Sequence, residues 1–251
     1  MNLPEIDTSV FKRLRFVLVE TSRAGNIGAA ARAVKTMGFS DLVLVNPRFP
    51  DACGDPEAIA FASGAQDVLD GARIVGSMAE ALEGCNFAAA VSARLRAFSP
   101  PVWAPRQFAG HMAGQGDLRG ALIFGNERFG LPNELVEQCN VLINIPANPG
   151  YSSLNLAQAL MVLAYECRVA TEEGAAPAPG FGFSGAAAGM DQIEGMYGHL
   201  EQALVAIDFL DAGNPKKLMP RLRRLFARTQ LETEEVNILR GIARQILKTR
   251  D

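Results

Sequence analysis

Histidine, tryptophan and cysteine are scarce in this 251-residue chain, at two, one and four residues. The cysteines, Cys53, Cys85, Cys139 and Cys167, lie far apart without the paired spacing of a zinc site, and His111 and His199 are the only imidazoles. Ligand-poor composition of this kind predicts a reduced protein with no metal centre. No uninterrupted apolar run is long enough to span a bilayer. The N-terminus, MNLPEIDTSVFKRLRFVLVE, sets acids ahead of its apolar run, the reverse of a signal peptide. A cytoplasmic protein with no membrane partner is expected. Strong positive charge is absent too, since the formal net charge is −3. Averages hide patches, however: Ala212 to Arg228 carries six basic residues and no acidic one. That run is either a solvated helix face or a phosphate-contacting surface.

What the chain does have is apolar residues, 49% of the total, arranged in short runs. RFVLVE, DLVLVN, ARIVG, FAAAVSA, ALIFGN and VLINIP read as strands, and helical stretches such as GAAARAVKTMG and MAEALEG lie between them. Strand–helix alternation with continuously apolar strands predicts an α/β fold, a parallel sheet covered on both faces. Composition then shifts to a Gly/Pro/Ala-rich stretch that reads as a linker. Three helical segments follow, near residues 190–210, 215–228 and 232–249. The expected organisation is a domain over residues 1–172, a linker over 173–189 and a helical annex over 190–251.

Three loops at the carboxyl ends of strands hold the unusual polar content, and that edge is where open α/β sheets bind ligands. The first, ETSRAGNIGAAARAVKTMG, places Asn26 and Arg32 across a glycine-rich turn into a helix. Its glycines do not match GxGxxG, and the second strand ends in Asn46-Pro47 rather than a ribose-binding acid, which disfavours a nicotinamide-dependent enzyme. The second, FGNERFGLPNEL, sets Glu127 between Gly125 and Gly130. The third, ANPGYSSLNLAQALMVLAYE, crowds Tyr, two serines and Asn155 at a helix mouth where one cap would suffice. Ser152 or Ser153 is the candidate cap.

In this order the loops resemble the motifs of the SPOUT methyltransferases, in the branch that methylates RNA ribose 2′-hydroxyls. The motifs are Asn26 and Arg32; then Gly125, Glu127, Gly130 and Leu131; then Ser153, Leu154 and Asn155. The resemblance runs into the tail, EVNILRGI, and points to an enzyme acting on nucleotide 32 of the tRNA anticodon loop. It implies a C-terminal trefoil knot, S-adenosylmethionine as methyl donor, tRNA as partner and a homodimer without metal. It implies a cofactor pocket of Ser92, Ala93, Gly125, Ile145, Ser152, Ser153 and Leu154. Arg32, Asn26, Glu127, Asn155 and Ser153 are the implied catalytic group, with Arg32 serving the cofactor of the partner chain. Asn126 departs from the pattern, since a basic residue is expected there. Arg94, Arg96 and Trp103 are candidates for RNA contact, with simple packing the favoured role for Trp103. The alternatives are a ribose methyltransferase acting on another tRNA nucleotide or on rRNA, and a catalytically silent knotted RNA-binding protein.

Overall fold

All six apolar runs become strands, and in all but the outlying Arg73–Val75 strand the residues are largely buried and apolar. The computed structural model describes residues 9–96, 98–172, 185–213 and 215–249. In chain order the elements begin with α1 (Val10–Arg13), β1 (Leu14–Val19), α2 (Ala24–Thr36), β2 (Leu42–Val45), α3 (Pro56–Ala62) and α4 (Gln66–Asp70). Next come β3 (Arg73–Val75), α5 (Met78–Leu82), β4 (Phe87–Val91), β5 (Val102–Trp103), α6 (Pro105–Gly114) and β6 (Gly120–Phe124). The last are α7 (Asn133–Glu137), β7 (Val141–Ile143), α8 (Leu156–Glu172), α9 (Met190–Ala206), α10 (Leu218–Phe226) and α11 (Thr233–Lys248).

Among the described residues the seven strands form one sheet in the order β3-β2-β1-β6-β4-β7-β5, with every pairing parallel. The strand that sequence patterning did not predict is β5. It has two residues, follows Pro100-Pro101 and lies at the sheet edge, where a missing N–H costs least. Because all strands run the same way, the loops after β1, β4, β6 and β7 meet at one edge. These are the loops that carry the motifs.

Alternation along each strand sorts side chains to two faces. Phe16, Leu18, Leu44, Leu122 and Ile143 pack with Ile27, Phe108, Leu160 and Leu163 from α2, α6 and α8. Val17, Val43, Ala90, Ile123 and Leu142 face the other way. That second face is covered by α5 and α7, through Ala81, Leu82 and Val136, and by the C-terminal region: Met190, Ile193, Met196 and Tyr197 of α9, with Leu231 and Val236, join its cluster. The region approaches by an extended segment in which Ala188 N–H donates to Leu231 O, Thr233 N–H to Ala186 O and Met190 N–H to Cys85 O. His111 on α6 also meets Gln230, and burial pushes its imidazole down to about 4, so this pair stays neutral. Of the expected linker, residues 173–184 lie outside the described residues, while Ala187 bridges Glu232 and Ala188 is buried. Met196 is fully buried, so Met196→Ala should cost the whole protein about 2–5 kcal/mol. A separate second melting transition for the helical region, with the first unmoved by Met196→Ala, would contradict this packing.

Candidate active site

Glu127 organises the motif edge. The loop from Gly125 to Leu131 turns back on itself, with Gly130 N–H donating to Asn126 O at 2.8 Å, and this holds Glu127 toward the β1–α2 loop. One carboxylate oxygen accepts from the Ser22 amide at 2.9 Å and the Ser22 hydroxyl at 2.7 Å. The other accepts from Asn26 Nδ2 at 2.8 Å. Asn26 Oδ1 in turn accepts from Asn155 Nδ2 at 2.9 Å. Residues separated by more than a hundred positions thus form one relay through all three motif loops. Burial pushes the Glu127 carboxyl up, but the hydrogen bonds from Asn26 and Ser22 outweigh it and hold the group below the usual carboxylate range.

A pH dependence follows. The network's contribution to stability is complete above the unfolded glutamate value of about 4.3 and is lost as pH falls through the lower folded value. The thermal stability gap between the wild type and Glu127→Gln should therefore be widest above the unfolded glutamate value and narrow progressively as pH falls below it. A gap that is constant across acid titration would show that the charge of Glu127 contributes nothing.

Asn155 also resolves the crowded helix mouth. Its Oδ1 accepts from the N–H groups of Ala157 at 2.9 Å and Gln158 at 3.4 Å, while Gln158 Oε1 accepts from Asn155 N–H. This is a capping box. Asn155 caps α8, and neither Ser152 nor Ser153 does. Both serines are exposed and make no hydrogen bond among the described residues, so their hydroxyls remain available.

The serines line a cleft of about 230 Å³ at the ends of β4, β6 and β7. Ser92, Ala93, Gly125, Ile145, Ser152, Ser153 and Leu154 all face it, as does Glu127. Gly125 is there for a steric reason: a Cβ would lie 2.3 Å from the Gly130 carbonyl carbon and 2.5 Å from Leu131 N. Arg96 sets the shape of the upper wall. Its guanidinium donates to Ser92 Oγ and Arg94 O on one loop, and to Leu131 O (2.7 Å) and Asn133 Oδ1 (2.7 Å) on the other. Asn144 Nδ2 adds bonds to Ser92 O and Ala93 O. Arg96 is therefore committed to holding protein rather than free for RNA. Arg94 faces the cleft, and Trp103 packs, stacked on Phe87 and edge-on to His111.

Arg32 stands apart. It lies on α2, exposed, outside the residues lining its own chain's cleft and without a hydrogen bond or ion pair among the described residues. The glycines near it serve helix packing rather than a turn. Both lie within α2, and a Cβ on Gly28 would fall 1.9 Å from Ala58 O of α3. Asn46 is a left-handed turn residue whose side-chain amide donates to Gly76 O. Sequence reading missed Ser22 and Asn144, and it gave Arg96 an RNA-contact role, because all three act through contacts dozens of residues away. Asn126 is a turn organiser: its Nδ2 donates to Glu20 O at 2.6 Å, and its Oδ1 accepts from the amides of Arg128 and Phe129.

In the basic run, Arg223 is structural. It forms a bidentate pair with Glu194 and its guanidinium lies 4.3 Å from the Tyr197 ring centroid. Lys216, Lys217, Arg221, Arg224 and Arg228 are exposed, with Lys217 seated over Phe98 of the β4–β5 connection. No helix among the described residues is long and apolar enough to cross a membrane, and no cluster of His, Cys, Asp or Glu there would hold a metal ion.

The parallel sheet is the fold of a methylase class, and the chain belongs to one of its families: the profile described as SpoU rRNA Methylase family matches residues 13–165. A second profile, tRNA methyltransferase TrmJ, C-terminal domain, matches residues 191–251. The particular relatives are TrmJ proteins. The chain is 44% identical over 248 residues to the tRNA (cytidine/uridine-2′-O-)-methyltransferase TrmJ of Pectobacterium atrosepticum, covering 95% of this chain and 98% of the relative. Against the Escherichia coli K12 protein of the same name the identity is 43%, covering 94% and 96%. The crystal structure of TrmJ from Z. mobilis ZM4 superposes with a TM-score of 0.79 at 33% identity, covering 93% and 98%.

Proposed function

We propose that the protein transfers a methyl group from S-adenosylmethionine to a ribose 2′-hydroxyl of tRNA, at nucleotide 32 of the anticodon loop. The observation that carries this reading is the relay of Glu127, Asn26 and Asn155 beside a cleft with two free serine hydroxyls. The residues fit the donor. Gly125 lets the Gly130–Leu131 backbone close against the cleft wall where a Cβ would clash, and Ser92, Ala93, Ile145, Ser152, Ser153 and Leu154 line the cleft with hydroxyls, apolar side chains and backbone polar atoms. When bound, S-adenosylmethionine supplies a methyl group on a sulfonium, already a good leaving group.

The chain itself must orient the ribose and stabilise charge on its oxygen. Asn26 and Asn155 present amide groups fixed in orientation by Glu127, and Ser153 stands beside them on the same loop as Asn155. Arg32 clamps the neighbouring phosphate with a planar fork and stabilises the developing alkoxide. Because Arg32 is exposed on α2 and absent from its own cleft lining, it serves the site of a second protomer, and the active unit is a homodimer. The knot is part of the same proposal. β7 lies between β4 and β5 in the sheet, a strand order compatible with a knot in which the chain after β7 passes under the β4–β5 connection. The exposed cations of the basic run hold tRNA phosphates.

Ribose methylation mapped across tRNA and rRNA, from cells with and without this protein, tests the reading. Loss at nucleotide 32 of tRNA is expected, and the purified protein should restore it with unchanged turnover in chelator. Loss at another tRNA nucleotide or in rRNA would move the substrate. An unchanged methylation map would end the proposal.

A further inference from the structure

Phe129 is 82% exposed, the most exposed large apolar side chain among those described, and it stands on the loop that carries Glu127. A phenyl ring left in water forgoes the stabilisation of burial, and here the backbone that carries it is fixed by a built turn. Asn126 Oδ1 accepts from the Arg128 and Phe129 amides at 2.9 and 3.2 Å, Asn126 Nδ2 donates to Glu20 O, and Gly130 N–H closes the turn. The Arg128 guanidinium carbon lies 5.5 Å from the Phe129 ring centroid. Both residues line the rim of the cleft. An exposed aromatic face on a built turn, with a cation beside it, is the chemistry that receives an unstacked base and its phosphate.

We propose that Arg128 and Phe129 form a platform on which a nucleobase of the RNA substrate stacks, next to the ribose being methylated. This rests on the methyltransferase reading above. A base is the occupant favoured over a second copy of the chain for two reasons. The ring stands beside a charge that would be costly to bury against apolar protein. The cleft it borders is where the reading delivers a nucleotide, and a ribose hydroxyl within a stacked loop is reached only when its neighbours are splayed apart. The turn built by Asn126 also gives that departure from the family pattern a role: a basic residue expected at 126 is replaced by an amide that presents the cation at 128.

Steady-state methylation by the full-length protein, with tRNA and S-adenosylmethionine varied separately, tests the platform. Phe129 is exposed, so its replacement leaves folding intact. Phe129→Ala and Phe129→Leu should each raise KM for tRNA about tenfold, the size of one lost base stack. KM for S-adenosylmethionine should not move, and Phe129→Trp should retain wild-type KM for tRNA. Arg128→Gln should lower the slope of log affinity for tRNA against log salt by about one. Unchanged KM for tRNA in Phe129→Ala would overturn the platform. So would a leucine that works as well as phenylalanine, or dissociation of a dimer by Phe129→Ala, since either marks apolar contact with protein. If the wild type itself transfers no methyl group to any tRNA, the underlying reading fails, and the platform with it.

Discussion

Arg32→Ala should reduce single-turnover methylation of tRNA by about a hundredfold or more, while the affinity for S-adenosylmethionine measured by calorimetry stays near the wild-type value. The size follows from removing one preorganised group that stabilises transition-state charge. The selectivity follows from position: Arg32 is exposed on α2 and no part of its own chain's cleft. Folding should be untouched, because the side chain makes no hydrogen bond or ion pair among the described residues. Arg32→Lys should recover little, since a point charge does not reproduce a planar fork. A further arm tests the shared site. Mixing Arg32→Ala protomers with protomers defective at Gly125 should regenerate activity, because one kind of mixed site then has both an intact cleft and an intact Arg32. Near-normal turnover in Arg32→Ala would remove the residue from catalysis, and absent complementation would return it to its own protomer's site.

Gly125→Ala should abolish measurable binding of S-adenosylmethionine. The added carbon would meet backbone atoms of Gly130 and Leu131 at 2.3–2.6 Å, distances that no side-chain rotation relieves. The loop that carries Glu127 must then open, and the loss reaches the relay as well as the cleft. Stability should fall by about 1–3 kcal/mol or more, the range for overpacking. Gly130 supplies the control on the same loop. It adopts a left-handed φ of +70° but has open space around its Cβ position, so Gly130→Ala should cost about 1–2 kcal/mol from backbone strain alone. Gly130→Ala should keep cofactor binding. If both alanines behave alike, strain rather than the close backbone approach governs this loop.

The strands were legible because their apolar runs are continuous and their partners are other strands in a repeating βα pattern. Two-residue β5 was not, since its pairing with β7 is decided by the sheet edge rather than by Val102 and Trp103 themselves. The relay was legible only as three separate polar residues. No spacing rule shows that Asn155 donates to Asn26 across 129 positions, and Ser22 looks like loop filler until Glu127 is brought to it. The helix mouth misled in the other direction: Ser152 and Ser153 carry good capping chemistry, but Asn155, adjacent to the helix, takes the cap. Arg96 and Arg223 show why basic residues mislead when read by type alone. Each is consumed by protein acceptors that only the fold supplies.

The cover that α9 provides has a consequence for how the protein is made. Translation finishes β7 and α8 before a single residue of α9 exists, so Val17, Val43, Ala90, Ile123 and Leu142 belong to a sheet face whose C-terminal cover has yet to be made. A chain that ends between α8 and Met190 leaves part of that face open to water, the kind of surface that chaperones bind and that drives misassembly. The order of synthesis thus sets a vulnerable interval, and its length is the time needed to add the segment that leads into α9.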